Sequence, residues 1–170
     1  MKKSVLCTVF TFIAFMANAQ KFALIDMEYI LEKIPAYERA NQQLDQMSQG
    51  WQREVEVLVQ QAQTLYKDYQ SKATSLSEAQ RTTKEEEIVA MEKSAAEVRR
   101  KYFGPEGELV NKRESLMKPI QDEIYDAIKE LSESGGYSVV VDRASANSII
   151  FASPRIDISN EVLMKLGYSN

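Results

Sequence analysis

From Leu44 to Tyr69 an apolar series falls at Leu44, Met47, Trp51, Val55, Leu58, Ala62, Leu65 and Tyr69, with gaps of 3, 4, 4, 3, 4, 3 and 4. Gaps alternating between three and four put every one of these side chains on one stripe of an α-helix, close to a heptad seam. A helix over 38–74 would be about 55 Å long at 1.5 Å per residue. A stripe that narrow cannot bury itself, so the helix needs a partner.

The partner follows directly. Thr74-Ser75-Leu76-Ser77 is a small polar turn in which Ser77 can cap a new helix, with Gln80 placed to complete a capping box. Ile88, Met91, Ala95, Val98 and Tyr102 then continue with gaps of 3, 4, 3 and 4. Two seams joined by a short turn predict an antiparallel helical hairpin with its tip near 74–77. Lys84, Glu85, Glu86, Glu87, Glu92 and Lys93 lie outside the seam, where water can solvate them.

On either side of the hairpin the rhythm changes. Phe22-Ala23-Leu24-Ile25 reads as a strand ending at Asp26, which caps a short helix from Met27 to Leu31, and Pro35 restarts the helix. Gly104-Pro105-Glu106-Gly107 predicts a kink or restart, after which Leu109, Leu116, Ile120, Ile124, Ala127, Ile128 and Leu131 resume a helix through Pro119. Gly135-Gly136 ends it with a left-handed cap. Tyr137 to Val141 and Ser148 to Ala152 read as two strands forming a β-hairpin. Ser159 is placed to cap a last short helix, with Ile158 packing on Leu163 as a staple. The expected fold is mainly α with a small β body. Its parts are first strand and helix at 20–37, hairpin at 38–103, returning helix at 104–134, and β-hairpin with C-terminal helix at 135–170.

Residues 1–19 read as a secretory signal: basic Lys2 and Lys3, an apolar run from Val5 to Met16, and Ala17-Asn18-Ala19 before a cut ahead of Gln20. The run is short for a membrane span of about 20 residues, though a retained anchor is the competing reading. Cys7, the only cysteine, would leave with the signal, and there is no histidine. Thiol nucleophiles, disulfides, imidazole bases and the usual zinc ligands go with them. Setting aside Lys2 and Lys3 leaves 19 basic against 25 acidic residues, a charge of −6, which disfavours nucleic acid as a partner. No Gly-rich phosphate loop appears, no cofactor or metal is expected, and Asp26 and Asp142 read as capping and turn residues. The reading is of a protein that is not an enzyme.

The order of strand, long hairpin, returning helix, β segments and capped short helix resembles the Skp/OmpH family of periplasmic chaperones. Phe22-Ala-Leu-Ile-Asp26, Tyr137-Ser-Val-Val-Val-Asp142 and Asp157-Ile-Ser-Asn-Glu-Val-Leu163 carry that resemblance. It implies a homotrimer whose strands build a central body from which the hairpins hang as tentacles around a cavity. Unfolded outer-membrane proteins would be held there without ATP, in the periplasm, and a peripheral contact with lipid or lipopolysaccharide is a further expectation.

Within that picture the client-contact candidates are Val57, Val59 and Tyr66, which lie off the seam, and Arg99, Arg100 and Lys101 on the returning arm. The trimerisation candidates are Phe22, Leu24, Val139, Val141, Ile149 and Phe151. Trp51 and Tyr69, being on the seam, read as hairpin core. A different class of function is a structural coiled-coil envelope scaffold, which would bind a folded partner and have no affinity for unfolded chains.

Overall fold

The computed structural model describes residues 21–146 and 148–168. The signal-peptide reading, including Cys7, lies outside them. Among the described residues the chain divides into a body, built from those up to Ile34 and those from Asp122 onward, and an arm, Pro35–Gln121.

The arm is a pair of antiparallel helices, α2 (Pro35–Lys72, 38 residues) and α3 (Glu78–Phe103, 26 residues), that pack on each other. Every residue of the first predicted seam is buried or half-buried, and Leu44, Val55 and Ala62 are fully so. From α3 they meet a seam in which Ile88, Ala95 and Tyr102 are buried. The turn at the tip is set by local chemistry. Ser77 accepts from the Gln80 N–H, and Gln80 Oε1 accepts from the Ser77 N–H at 3.0 Å, so two otherwise orphaned donors are satisfied reciprocally. α2 starts at Pro35, whose missing N–H costs nothing in a first turn.

At the other end of α3 the Gly104–Gly107 break is a tight corner. The Gly104 N–H donates to the Arg100 carbonyl (2.8 Å), the Gly107 N–H to the Gly104 carbonyl (2.9 Å), and the next helix then starts. A Cβ on Gly107 would stand 2.8 Å from the Tyr102 carbonyl oxygen, so only glycine fits there. The next helix, α4 (Glu108–Gly135), runs unbroken through Pro119 and ends at Gly136, whose φ of 69° supplies the left-handed cap.

In the body, β1 (Lys21–Ile25) is followed by α1 (Met27–Glu32), capped by Asp26 through the Tyr29 N–H at 2.9 Å. β2 (Tyr137–Asp142) pairs with β1 in parallel, Phe22 opposite Val139 and Ile25 opposite Asp142. The predicted hairpin between β2 and 148–152 does not form: no strand is assigned to the described residues of that segment. The reason is Asp142. Its Oδ1 accepts from the Ala144 N–H at 3.0 Å and the Met27 N–H at 3.1 Å, which turns the chain away as β2 ends. Meanwhile Ala23, Leu24 and Ile25 are all buried, as befits a strand covered on both faces.

The other edge of β1 carries a single parallel bridge, Leu24 with Asp157, and the Ile158 N–H donates to the Leu24 carbonyl at 2.9 Å. After a 3₁₀ turn at Pro154–Ile156, α5 (Ser159–Lys165) completes the body. Ser159 is the first residue of this helix rather than its cap. Its hydroxyl is drawn instead to Asp157 Oδ1 (2.6 Å), and its oxygen accepts from the Asp26 N–H at 2.8 Å. Ile30, Ile34, Ile124, Ala127, Ile158, Val162 and Leu163 are among the buried core residues of the body.

Candidate functional site

The arm presents its chemistry on the two flanks of its seam. Midway along, the seam residues are small, Ala62 and Ala95, and a shallow trough opens on each side of them. One trough, about 460 Å³, is lined by Val57, Gln60, Gln61, Thr64 and Leu65 of α2 and Met91 of α3. None of these residues is ionisable, so the trough offers apolar surface edged by amides and a hydroxyl. The other, about 290 Å³, is lined by Val59, Ala62, Gln63, Tyr66, Glu92, Ala95, Ala96 and Arg99. It adds an aromatic ring and one charge of each sign.

The six client-contact candidates therefore fall in three places. Val57, 55% exposed, lies in the uncharged trough. Val59, Tyr66 (49% exposed) and Arg99 line the second. Arg100 and Lys101 lie apart from Arg99, in a concavity at the Gly104–Gly107 corner shared with Glu97, Glu106 and Glu108. Carboxylates thus face these two cations, and the basic excess read from the chain is locally balanced.

Two tyrosine–glutamate pairs join the helices of the arm, and neither was anticipated. The Tyr102 hydroxyl donates to Glu54 Oε2 at 2.8 Å while its ring stacks on Trp51, centroids 4.9 Å apart and 8° from parallel. Nearer the tip, Tyr69 donates to Glu85. Both tyrosines were placed on the seam; the signal available was a glutamate just off the facing seam, which is too common to single out. In each pair the hydrogen bond to the carboxylate, then burial, then the glutamate charge hold the phenol above the 10.0 of an ordinary tyrosine.

The sign follows. A phenol with a raised pKa in the folded arm contributes stability that is complete below pH 10 and is lost as pH rises through its folded value. Replacing Tyr69 and Tyr102 together by phenylalanine should lower the melting temperature at neutral pH by several degrees and flatten its fall above pH 10. Thermal melts followed by circular dichroism across pH 7 to about 11.5 would show both changes, and parallel curves for the two proteins would refute the assignment.

In the body, Phe22 and Val139 are exposed, Val141 is half-buried, and Ile149 and Phe151 are exposed. Leu24 is only 6% exposed and belongs to the core of its own chain, because its backbone is bridged to Asp157 and its side chain is covered. Ile150, which the reading of the chain did not single out, is 100% exposed. Burial pushes the Asp142 carboxyl up, but donors from Met27, Ser145 and Ala144 outweigh that and leave it below 3.8, as suits a turn-former. Among the described residues no group of three His, Cys, Asp or Glu is placed to hold a metal ion, and no helix is long and apolar enough to cross a membrane.

A paired-helix arm with open apolar flanks, in a chain whose second unit combines a two-stranded sheet with helices, defines a coiled-coil fold on a small β body. The family model for the OmpH-like outer membrane proteins matches residues 21–166, and the chain belongs to that family. It is similar to the chaperone protein Skp of Yersinia enterocolitica, 25% identical over 151 residues that cover 88% of this chain and 87% of the relative. Skp of Pectobacterium atrosepticum is 26% identical over 153 residues, covering 87% and 86%. An OmpH-like outer membrane chaperone of Caulobacter crescentus has the same fold, with a TM-score of 0.69 at 14% identity over 86% of this chain and 83% of that one.

Proposed function

We propose that this chain is a periplasmic chaperone that holds unfolded outer-membrane proteins without nucleotide, acting as a homotrimer after cleavage behind Ala19. The observation that carries the proposal is that the arm keeps Val57, Tyr66 and Val89 exposed beside a seam that is already packed. Side chains the hairpin does not need for its own stability are free to meet an unfolded chain. The curated relatives are named as chaperones, and this supports the same reading.

Each trough is small, so one arm holds a client weakly. Several arms enclosing one client raise the local concentration of troughs, and avidity then supplies the strength. The trimer is supported by the body: a two-stranded sheet is marginal alone, and β2 has no ladder partner on its outer edge among the described residues. Arg100 and Lys101 share their concavity with carboxylates, so contact with lipid or lipopolysaccharide is not part of the proposal.

The test dilutes a urea-unfolded outer-membrane β-barrel into buffer containing the mature chain and no nucleotide, with light scattering as the readout. Suppression of scattering at stoichiometric trimer is expected; no suppression at several-fold excess would overturn the reading. Photocrosslinkers at Gln61 and Gln63, one on each flank, distinguish the scaffold alternative in cells. Many unfolded porin adducts support the chaperone, whereas one recurrent folded protein supports the scaffold.

A further inference from the structure

One sulfur atom opens onto the uncharged trough of the arm. Val57, Gln60, Gln61, Thr64 and Leu65 recur at spacings of three and four along one side of α2, and Met91 is the residue that α3 adds to the lining. Met91 occupies a seam position, yet it is only half-buried, whereas Ile88 and Ala95, a turn away on either side, are buried. Among the described residues there is no cysteine, and Met27, Met47, Met117 and Met164 line neither trough. Met91 is therefore the one sulfur through which an oxidant in solution can change the chemistry of a trough.

The lining is also stocked with donors. Thr64 spends its hydroxyl proton on the Gln60 carbonyl, at 2.8 Å. The side-chain amides of Gln60 and Gln61 are exposed and have no hydrogen-bond partner among the described residues. Each carries two N–H groups, and a thioether is only a weak acceptor for them. A sulfoxide oxygen is a strong one. Oxidation of Met91 would thus supply, inside the trough, the acceptor that its amides lack.

We propose that Met91 is a reversible oxidation site that closes the uncharged trough: a hydroperoxide converts its thioether to the sulfoxide, and the new oxygen accepts from the Gln60 or Gln61 amide. A sulfur lone pair attacks one peroxide oxygen, the S–O bond forms as the O–O bond breaks, and the second oxygen leaves as water, or as an alcohol from an organic peroxide, taking the proton of the first. Sulfur loses two electrons and the peroxide gains them. The product is polar where an apolar side chain stood, and thiol-dependent sulfoxide reductases reverse the step. An apolar side chain entering the trough must then break hydrogen bonds that it cannot replace. The other trough holds no sulfur and stays as it is. This rests on the client-holding reading above, for which it names a switch.

The experiment treats the mature chain with hydrogen peroxide, follows Met91 and Met164 by peptide mass, and measures the chain concentration that halves the scattering of a urea-diluted outer-membrane β-barrel. Wild type and Met91→Leu are each compared with their own untreated sample. Treated wild type is expected to need about threefold more chain or higher, with its helical circular dichroism unchanged, and sulfoxide reductase with thiol to restore it. The ratio for Met91→Leu should stay near one, although Met164, 58% exposed in the body, is oxidised in both. Equal loss in Met91→Leu, unchanged holding with Met91 fully oxidised, or loss of helical signal on oxidation would each overturn the switch and leave client holding standing. An untreated wild type that fails to suppress scattering would overturn both. Should Met91→Leu fail to fold, the wild-type time course decides: loss of holding that follows Met164 rather than Met91 refutes the proposal.

Discussion

Replacing Val55 by aspartate will unzip the arm. Val55 is 1% exposed at the centre of the α2 seam, so the substitution removes a fully buried aliphatic side chain, about 1.5–3 kcal/mol of transfer free energy. It also asks a carboxylate to lose its water with no partner provided, which adds roughly another 1–3 kcal/mol or forces the helices apart. A loss of about 2.5–6 kcal/mol is comparable with the whole stability of a small unit, roughly 5–15 kcal/mol. Helical circular dichroism at 37 °C should fall sharply, and client holding should go with it, whereas Val57→Asp on the exposed flank should leave the melting curve within about 0.5 kcal/mol of wild type. The comparison separates the seam from its flank: equal loss of stability in both variants would mean that Val57 is core.

The second large effect lies in the body. The double variant Ile150→Asp, Phe151→Ser changes two side chains that are almost wholly in water in the single chain, so the fold of the monomer should be indifferent to it. If these side chains are buried against another copy, each contributes about 1.5–3 kcal/mol to every subunit contact. Their loss should weaken association by roughly 10² to 10⁴-fold per contact at 1.4 kcal/mol per decade. Sedimentation over a dilution series reads the shift, and unchanged helical content shows that folding was spared. A variant that assembles as tightly as wild type would remove 149–151 from the interface and leave the outer edge of β2 as the place to look.

The arm was legible because its information is local. A gap pattern of three and four, a Ser77–Gln80 capping box and a glycine corner each act within a few residues, and α2, α3 and their turn appear where those signals put them. The body was less legible because its information is not local. Ser148 to Ala152 has the composition of a strand, but whether it pairs depends on where Asp142 sends the chain, and Asp142 answers to the Met27 N–H, 115 residues away. Ser159 was misread for the same reason, its hydroxyl being claimed by Asp157 and Asp26 before it could cap a helix. The off-seam positions Val57, Val59 and Tyr66, singled out by periodicity as client-contact candidates, line the two troughs of the arm.

The parallel pairing of β1 with β2 also bears on the order in which the molecule is made. A strand that leaves the ribosome early must wait for a mate from near the far terminus, and closing so large a ring early carries a heavy entropic toll. The paired helices in between need no such patience, for their neighbours arrive within a few dozen residues. Maturation should therefore begin in the middle and finish at the ends, with β1 idle until the chain has come back to it. A chain stopped before Tyr137 should accordingly show the helices and lack the sheet, a limb completed ahead of the part that anchors the two ends of the chain to each other.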